Sequence, residues 1–132
     1  MSCAAHSLAA SRRFLDWEDV DLIQELVRRL AKKDILQVVD LGAGAGTTAL
    51  AVFCVRPRLV KVTSVDKSEA TMDWADKAIT NIGRRRDWER LILDSVAAAD
   101  FLTGPIHLLL IDTSHTYEQT RAELLAWLPK LD

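Results

Sequence analysis

Apolar and polar positions change period several times along the 132-residue chain, and each change marks an element. From Trp17 to Lys33, Val20, Ile23, Leu26, Val27 and Leu30 recur at three- and four-residue spacing opposite a charged face, which predicts an amphipathic helix. Ile35 to Val39 is a short β-branched run that stops at Asp40 and the glycines, the pattern of a strand buried on both faces. Thr47 to Val55 reads as a helix, Arg56-Pro57-Arg58 breaks it, and Leu59 to Val65 supplies a second strand ending on Asp66. Ser68 is placed to cap a helix through Met72, Trp74, Ala75, Ala78 and Ile79, which Gly83 can end in a left-handed conformation. Leu91 to Leu93 predicts a short third strand, followed by Asp94-Ser95, an alanine-rich turn and Gly104-Pro105. Ile106 to Ile111, apolar on both faces, predicts a fourth strand ending at Asp112. A last helix then carries Tyr117, Leu124, Leu125 and Leu128 until Pro129.

Strand and helix alternate without a repeat or a low-complexity linker. That predicts an α/β fold, a mostly parallel sheet of about four strands flanked by helices. One domain spans 1–132, with an N-terminal segment and helix over 1–33 and a core over 35–131. Hydrophobic residues make up 49% of the chain, enough for one core, and the net charge of -2 gives no field that would demand nucleic acid or a membrane surface. Neither partner is expected. Arg84-Arg85-Arg86, followed by Asp87 and Glu89, reads as a solvated surface. Cys3 and Cys54 lie far apart and suggest no disulfide framework, Cys54 reading as a small buried hydrophobe. The first residues lack the pattern of a secretory signal, and no apolar run approaches the roughly 18 residues of a membrane span, so a cytoplasmic location is expected.

Candidate chemistry concentrates where strands end. Asp40, Asp66, Asp94 and Asp112 each follow a predicted strand, which would align four carboxylates along one rim of the sheet, where ligands of open α/β sheets lie. Any one of them is also an ordinary turn or helix-capping residue. Within Asp40-Leu41-Gly42-Ala43-Gly44-Ala45-Gly46 the glycines alternate. A dinucleotide fingerprint would need a small residue at Thr47 rather than at Gly46, so the spacing argues against one.

The pattern Asp-x-Gly-x-Gly-x-Gly after an apolar strand, with Asp66 about 20 residues on, resembles the first motifs of the class I, Rossmann-like S-adenosylmethionine-dependent methyltransferases. The segment Ile111-Asp112-Thr113-Ser114-His115-Thr116-Tyr117-Glu118 is similar to the Ile-Asp-Gly-x-His-x-Tyr-Glu stretch of a subgroup containing small-molecule O-methyltransferases, with Thr113 where that subgroup often has glycine. The resemblance runs from about Ile35 to Leu131. It implies S-adenosylmethionine as cofactor and a small-molecule hydroxyl as acceptor. The methionine end would be held by Asp40, Gly42, Ala43, Gly44, Gly46 and Thr47, and the ribose by Asp66 with Lys67 beside it. Asp94 and Ser95 would meet adenine, and Asp112 would border the methyl-transfer pocket.

His115 is the candidate general base, since imidazole titrates near neutral pH; a helix N-terminal histidine bonding backbone or water is an equal alternative. Asp112, the second catalytic candidate, could instead ligate a divalent metal, although one carboxylate is not a site and the family's other acidic ligands come from beyond the next strand. His6 and His107 read as structural. The resemblance further implies a seven-stranded sheet in the order 3-2-1-4-5-7-6, so the chain would be truncated before strands 5 to 7. Leu108-Leu109-Leu110-Ile111 would then form an exposed edge open to self-association. A non-catalytic adenosylmethionine-binding or interaction domain, and an NAD(P)-dependent oxidoreductase, remain as alternatives.

Overall fold

A computed structural model describes residues 17–30, 34–44 and 46–132. The run around Val38 and Val39 becomes strand β1 (Leu36–Leu41), the inner strand on which the sheet is built. It pairs in parallel with β2 (Val60–Asp66) on one side and β4 (Leu108–Ile111) on the other, and β3 (Trp88–Ile92) pairs with β2. The order is therefore β3-β2-β1-β4, and the chain reverses direction across the sheet between β1 and β4. Helices α1 (Trp17–Arg29), α2 (Thr47–Val55), α3 (Glu69–Asn81) and α4 (Tyr117–Trp127) complete the alternation. Among the described residues no helix is long and apolar enough to cross a membrane.

Both faces of the sheet are covered, which is why its inner strands carry apolar side chains on consecutive positions. Leu36, Val38, Val60 and Val62 face Val20, Ile23 and Val27 of α1, Leu50 and Val52 of α2, and Met72, Ala75 and Ile79 of α3. Val39, Leu41 and Val65 face Ala98, Ala99, Ile106 and Trp127 on the other side. Helix α2 is buried continuously from Thr47 to Phe53, in keeping with its apolar residues on every face. The predicted cap of α3 is present: Ser68 Oγ accepts from the Thr71 amide at 3.2 Å.

Several expectations require correction. Strand β1 does not stop before Asp40 but runs through Leu41, because its neighbours on both sides continue the ladder to that point. Asp40 therefore lies inside the sheet, fully buried, and not on its rim. Strand β3 starts at Trp88 and ends on Ile92, earlier than Leu91 to Leu93. Strand β4 is shorter than expected and only half-buried; Ile106 instead makes a separate parallel bridge to Leu131. Cys54 is exposed, the continuous burial of α2 ending at Phe53, and Cys3 and His6 lie outside the described residues. The arginine cluster is not simply solvated. Arg84 pairs with Asp87 at 2.9 Å and lies 4.5 Å from the centre of the Phe53 ring, and Arg85 reaches both Asp76 and the Trp88 ring.

The largest correction concerns α4. The face expected to be buried is exposed at Tyr117, Leu124, Leu125 and Leu128, and the helix buries Glu123 and Trp127 instead. Hydrogen bonds decide the orientation: Trp127 Nε1 donates to the Ser95 carbonyl at 2.7 Å, Gln119 Nε2 to Ser95 Oγ at 2.9 Å, and Thr113 Oγ1 to Glu123 Oε1 at 2.8 Å.

Trp127→Ala is expected to cost about 3–5 kcal/mol in urea denaturation, whereas Leu125→Ala should change stability by less than about 0.5 kcal/mol; the reverse ranking would contradict this orientation of α4. Burial in β1 also raises the Asp40 carboxyl well above its ordinary value, with the Ser64 hydrogen bond opposing the rise and the charges of Asp112 and Asp66 adding to it. The native state thus keeps this proton to higher pH than the unfolded chain does. Its contribution is fully present below the ordinary carboxylate range and is lost as pH rises through the raised value. Asp40→Asn should flatten that decline in stability between acidic and neutral pH, and a decline as steep as the native one would exclude Asp40 as its source.

Candidate active site

The site is assembled where β1 and β4 part. Beyond the last ladder pairs, the Gly42 amide donates to the Val65 carbonyl and the Asp112 amide to the Leu41 carbonyl, each at 2.8 Å, so the carboxyl ends of β2, β1 and β4 are tied side by side. Gly42 has φ +89, and a Cβ there would fall on the Asp112 carbonyl oxygen and 2.7 Å from its carbon. Glycine is required at 42 by this approach of β4 as well as by its backbone conformation. Gly46, φ +92, precedes α2, and a Cβ would sit 3.1 Å from Ala75 of α3. Ala45 lies outside the described residues.

Two cavities of about 350 Å³ each meet over these strand ends, and both are bounded by Gly42, Asp66, Asp112 and Thr113. The first adds apolar Val65 and Leu93, with Lys67, Ser95 and Gln119. The second runs along Ala43, Gly44 and Thr47 to His115. Thr47 Oγ1 is buried there without a hydrogen-bond partner, a polar atom available to a ligand.

The four aspartates do not act in register. Asp66 and Asp112 border both cavities. Asp66 Oδ1 also accepts from the Ser68 amide at 2.9 Å, which holds the carboxylate in place. Asp94 lies two residues past β3, and its Oδ2 accepts from the amides of Val96 and Ala97 at 3.0 and 3.1 Å, the ordinary capping role. Lys67 Nζ stands 3.8 Å from Asp94 Oδ1, and Ser95 rather than Asp94 reaches the cavity wall. Asp40 is held from within the sheet: Trp88 Nε1 donates to Ser64 Oγ at 2.9 Å, and Ser64 Oγ donates to Asp40 Oδ2 at 3.3 Å, while Asp40 Oδ1 has no partner.

The turn after β4 brings His115 Nε2 to 3.4 Å from Asp112 Oδ1. Its left-handed residue is His115, with φ +63, and Thr113 takes no positive φ, so the threonine at the subgroup's glycine position is accommodated. The Thr113 hydroxyl is used as well, donating to buried Glu123. His107 is structural as expected: its Nδ1 accepts from the Gln37 amide at 2.9 Å, between β1 and the start of β4. Among the described residues no group of three or more His, Cys, Asp or Glu side chains could hold a metal. Sequence reasoning missed Gln119, Thr113 and Glu123. Gln119, Glu123 and Trp127 stand four residues apart, a signal obscured by the leucines on the opposite side of α4.

A family model described as a methyltransferase domain matches residues 39–132. A release factor glutamine methyltransferase of Xylella fastidiosa (strain 9a5c) is 33% identical over 82 residues, covering 58% of this chain and 30% of that protein. A crystal structure of a Staphylococcus aureus protein assigned as a caffeoyl-CoA O-methyltransferase superposes with a TM-score of 0.85 at 13% identity, covering 99% of this chain and 63% of that one. An rRNA methylase from Streptococcus thermophilus gives 0.71 at 16% identity, covering 84% and 63%. The chain thus spans less than two thirds of the length of each of these relatives, while the structural likeness establishes the shared Rossmann-like fold. With its glycine loop, its last two strands and α4 all inside the matched segment, the chain belongs to the methyltransferase-domain family.

Proposed function

We propose that this domain binds S-adenosylmethionine across the two joined cavities and directs methyl transfer to a hydroxyl of a small molecule, with His115 as general base. The observation that supports this reading is the junction of Gly42 with Asp112, beside which two cavities that share Gly42, Asp66, Asp112 and Thr113 are lined by the glycine loop and His115. Membership of the methyltransferase family sets aside the nicotinamide-dependent alternative.

The residues present fit such a cofactor. Val65 and Leu93 offer an apolar wall to adenine, with Ser95 and Gln119 at its polar edge. Asp66 is placed to accept from the ribose hydroxyls, where charged hydrogen bonds are stronger than neutral ones. The glycine loop keeps β-carbons out of the path of the methionine portion, and unpartnered Thr47 Oγ1 gives that portion a hydrogen-bonding site. Once bound, the cofactor supplies an electrophilic sulfonium methyl. The protein's task is then to orient the acceptor and remove its proton. His115 Nδ1, the ring nitrogen not turned toward Asp112, takes the hydroxyl proton, and Asp112, 3.4 Å from Nε2, stabilises the imidazolium that results. Glu123, through Thr113, fixes the turn on which both groups stand. Asp112 would also be the one carboxylate contributed from these residues to a divalent ion, if acceptor binding uses one.

Asp66→Ala is expected to weaken adenosylhomocysteine binding by roughly 1–3 kcal/mol in calorimetric titration; unchanged affinity would remove the ribose assignment. His115→Ala should lower turnover by about 10²-fold or more while leaving adenosylhomocysteine affinity near the native value. Native turnover in that variant would return His115 to a purely structural role.

A further inference from the structure

The proposed base is held in a backbone conformation that its side chain disfavours. His115 has φ +63, in the left-handed region, where Leu59 is the other non-glycine member among the described residues. An L side chain there costs conformational energy and persists where the surrounding contacts over-determine the backbone. For His115 those contacts lie on both sides of it in the chain and lead to the same helix. Two residues before it, Thr113 Oγ1 donates to Glu123 Oε1 of α4 at 2.8 Å. One residue after it, Thr116 caps α4: its Oγ1 accepts from the Gln119 amide at 3.2 Å, and its carbonyl from the Thr120 amide at 3.0 Å.

We propose that Glu123 is a positioning residue, which, at a cost in stability, clamps His115 together with the Thr116 cap in the left-handed conformation that sets the imidazole beside Asp112. The inference rests on the methyl-transfer reading and names what holds the base of that reaction in place.

Exposure and burial divide the work between the two ends of this clamp. The His115 side chain is 77% exposed, so packing does not fix the ring; the backbone of the turn is what brings Nε2 to 3.4 Å from Asp112 Oδ1. Glu123, by contrast, is 0% exposed, and its Oε2 has no hydrogen-bond partner. A polar atom left unmet at that depth costs free energy, a cost that an apolar side chain of similar length would avoid. Glutamate at 123 is therefore a poor core residue and a good acceptor for Thr113. The helix is a firm support for that acceptor. Gln119 and Trp127, one turn to either side of Glu123, donate to the Ser95 hydroxyl and carbonyl at 2.9 and 2.7 Å, which ties α4 to the loop after β3. Ser95, Gln119 and Thr113 all border the first cavity, so the clamp and the space assigned to the cofactor share a wall.

Two pairs of variants of the whole chain read the Thr113–Glu123 bond. Thr113→Val and Glu123→Met each remove one partner at similar side-chain size, while Thr113→Ser and Glu123→Gln keep the hydroxyl and an oxygen acceptor. A left-handed residue brings its amide hydrogen close to its own Hα, so native His115 should give a strong intraresidue NOE in NMR spectra recorded without ligand and with adenosylhomocysteine. Thr113→Val and Glu123→Met should weaken that NOE by about twofold or more as His115 relaxes toward negative φ, and Thr113→Ser and Glu123→Gln should restore it. The double variant Thr113→Val/Glu123→Met should lose the NOE yet unfold in urea at a midpoint no lower than the native one, since both partners become apolar together. A native NOE in Thr113→Val, or a lowered midpoint in the double variant, would overturn the positioning role; should Glu123→Met fail to fold, the Thr113 pair decides alone. Failure of adenosylhomocysteine to bind the native chain would instead overturn the cofactor reading and leave the NOE pattern intact, so the two failures are distinguishable.

Discussion

The absent side chain at Gly42 is the constraint on which the site depends. The carbonyl of Asp112 occupies the position a β-carbon would take, so the glycine loop after β1 and the turn after β4 share one contact surface. Parallel pairing delivers the two strand ends to the same level, and the amides of Gly42 and Asp112 extend the ladder by one step on either side of Leu41. In an open α/β sheet the crevice forms where the strand order reverses, and here that point is narrowed until only glycine fits. Both cavities that meet above it are bounded by the same four residues because the backbone beneath them is locked.

Much of this architecture was legible in the sequence. The Ser68 cap and the helix from Thr47 to Val55 formed where the local requirements of the backbone placed them, and the apolar runs marked every strand but not its exact ends. What escaped were features set by tertiary contacts. A leucine-rich helix next to a sheet is ordinarily packed through its leucines, yet α4 turns Gln119, Glu123 and Trp127 inward because Ser95 and Thr113 offer hydrogen-bond partners that leucine cannot use. Those partners belong to loops whose positions depend on the whole sheet. No window of sequence around α4 contains them.

The aspartates teach the same lesson from the side of charge. Read along the chain, Asp40, Asp66, Asp94 and Asp112 look equivalent, each following an apolar run. Two residues of extra strand put Asp40 inside the protein, and one residue of extra loop leaves Asp94 to cap a turn. Both faces of the sheet are covered, so a residue that falls within β1 rather than after it is buried whichever face it takes. The surviving pair, Asp66 and Asp112, stands at opposite ends of the shared floor of the two cavities.

The bridge between Ile106 and Leu131 has a bearing on how such a site comes to exist. The amides of Ile106 and Asp132 are bonded to the carbonyls of Lys130 and Ile106, which closes a ring of chain containing β4, the Asp112–His115 turn and all of α4. Closing it costs about 1 kcal/mol less chain entropy than joining Gln37 to His107, which are separated by 70 residues. Asp112 and His115 therefore lie in the segment whose closure costs the less chain entropy, while α4 within it is still oriented by Ser95 from outside.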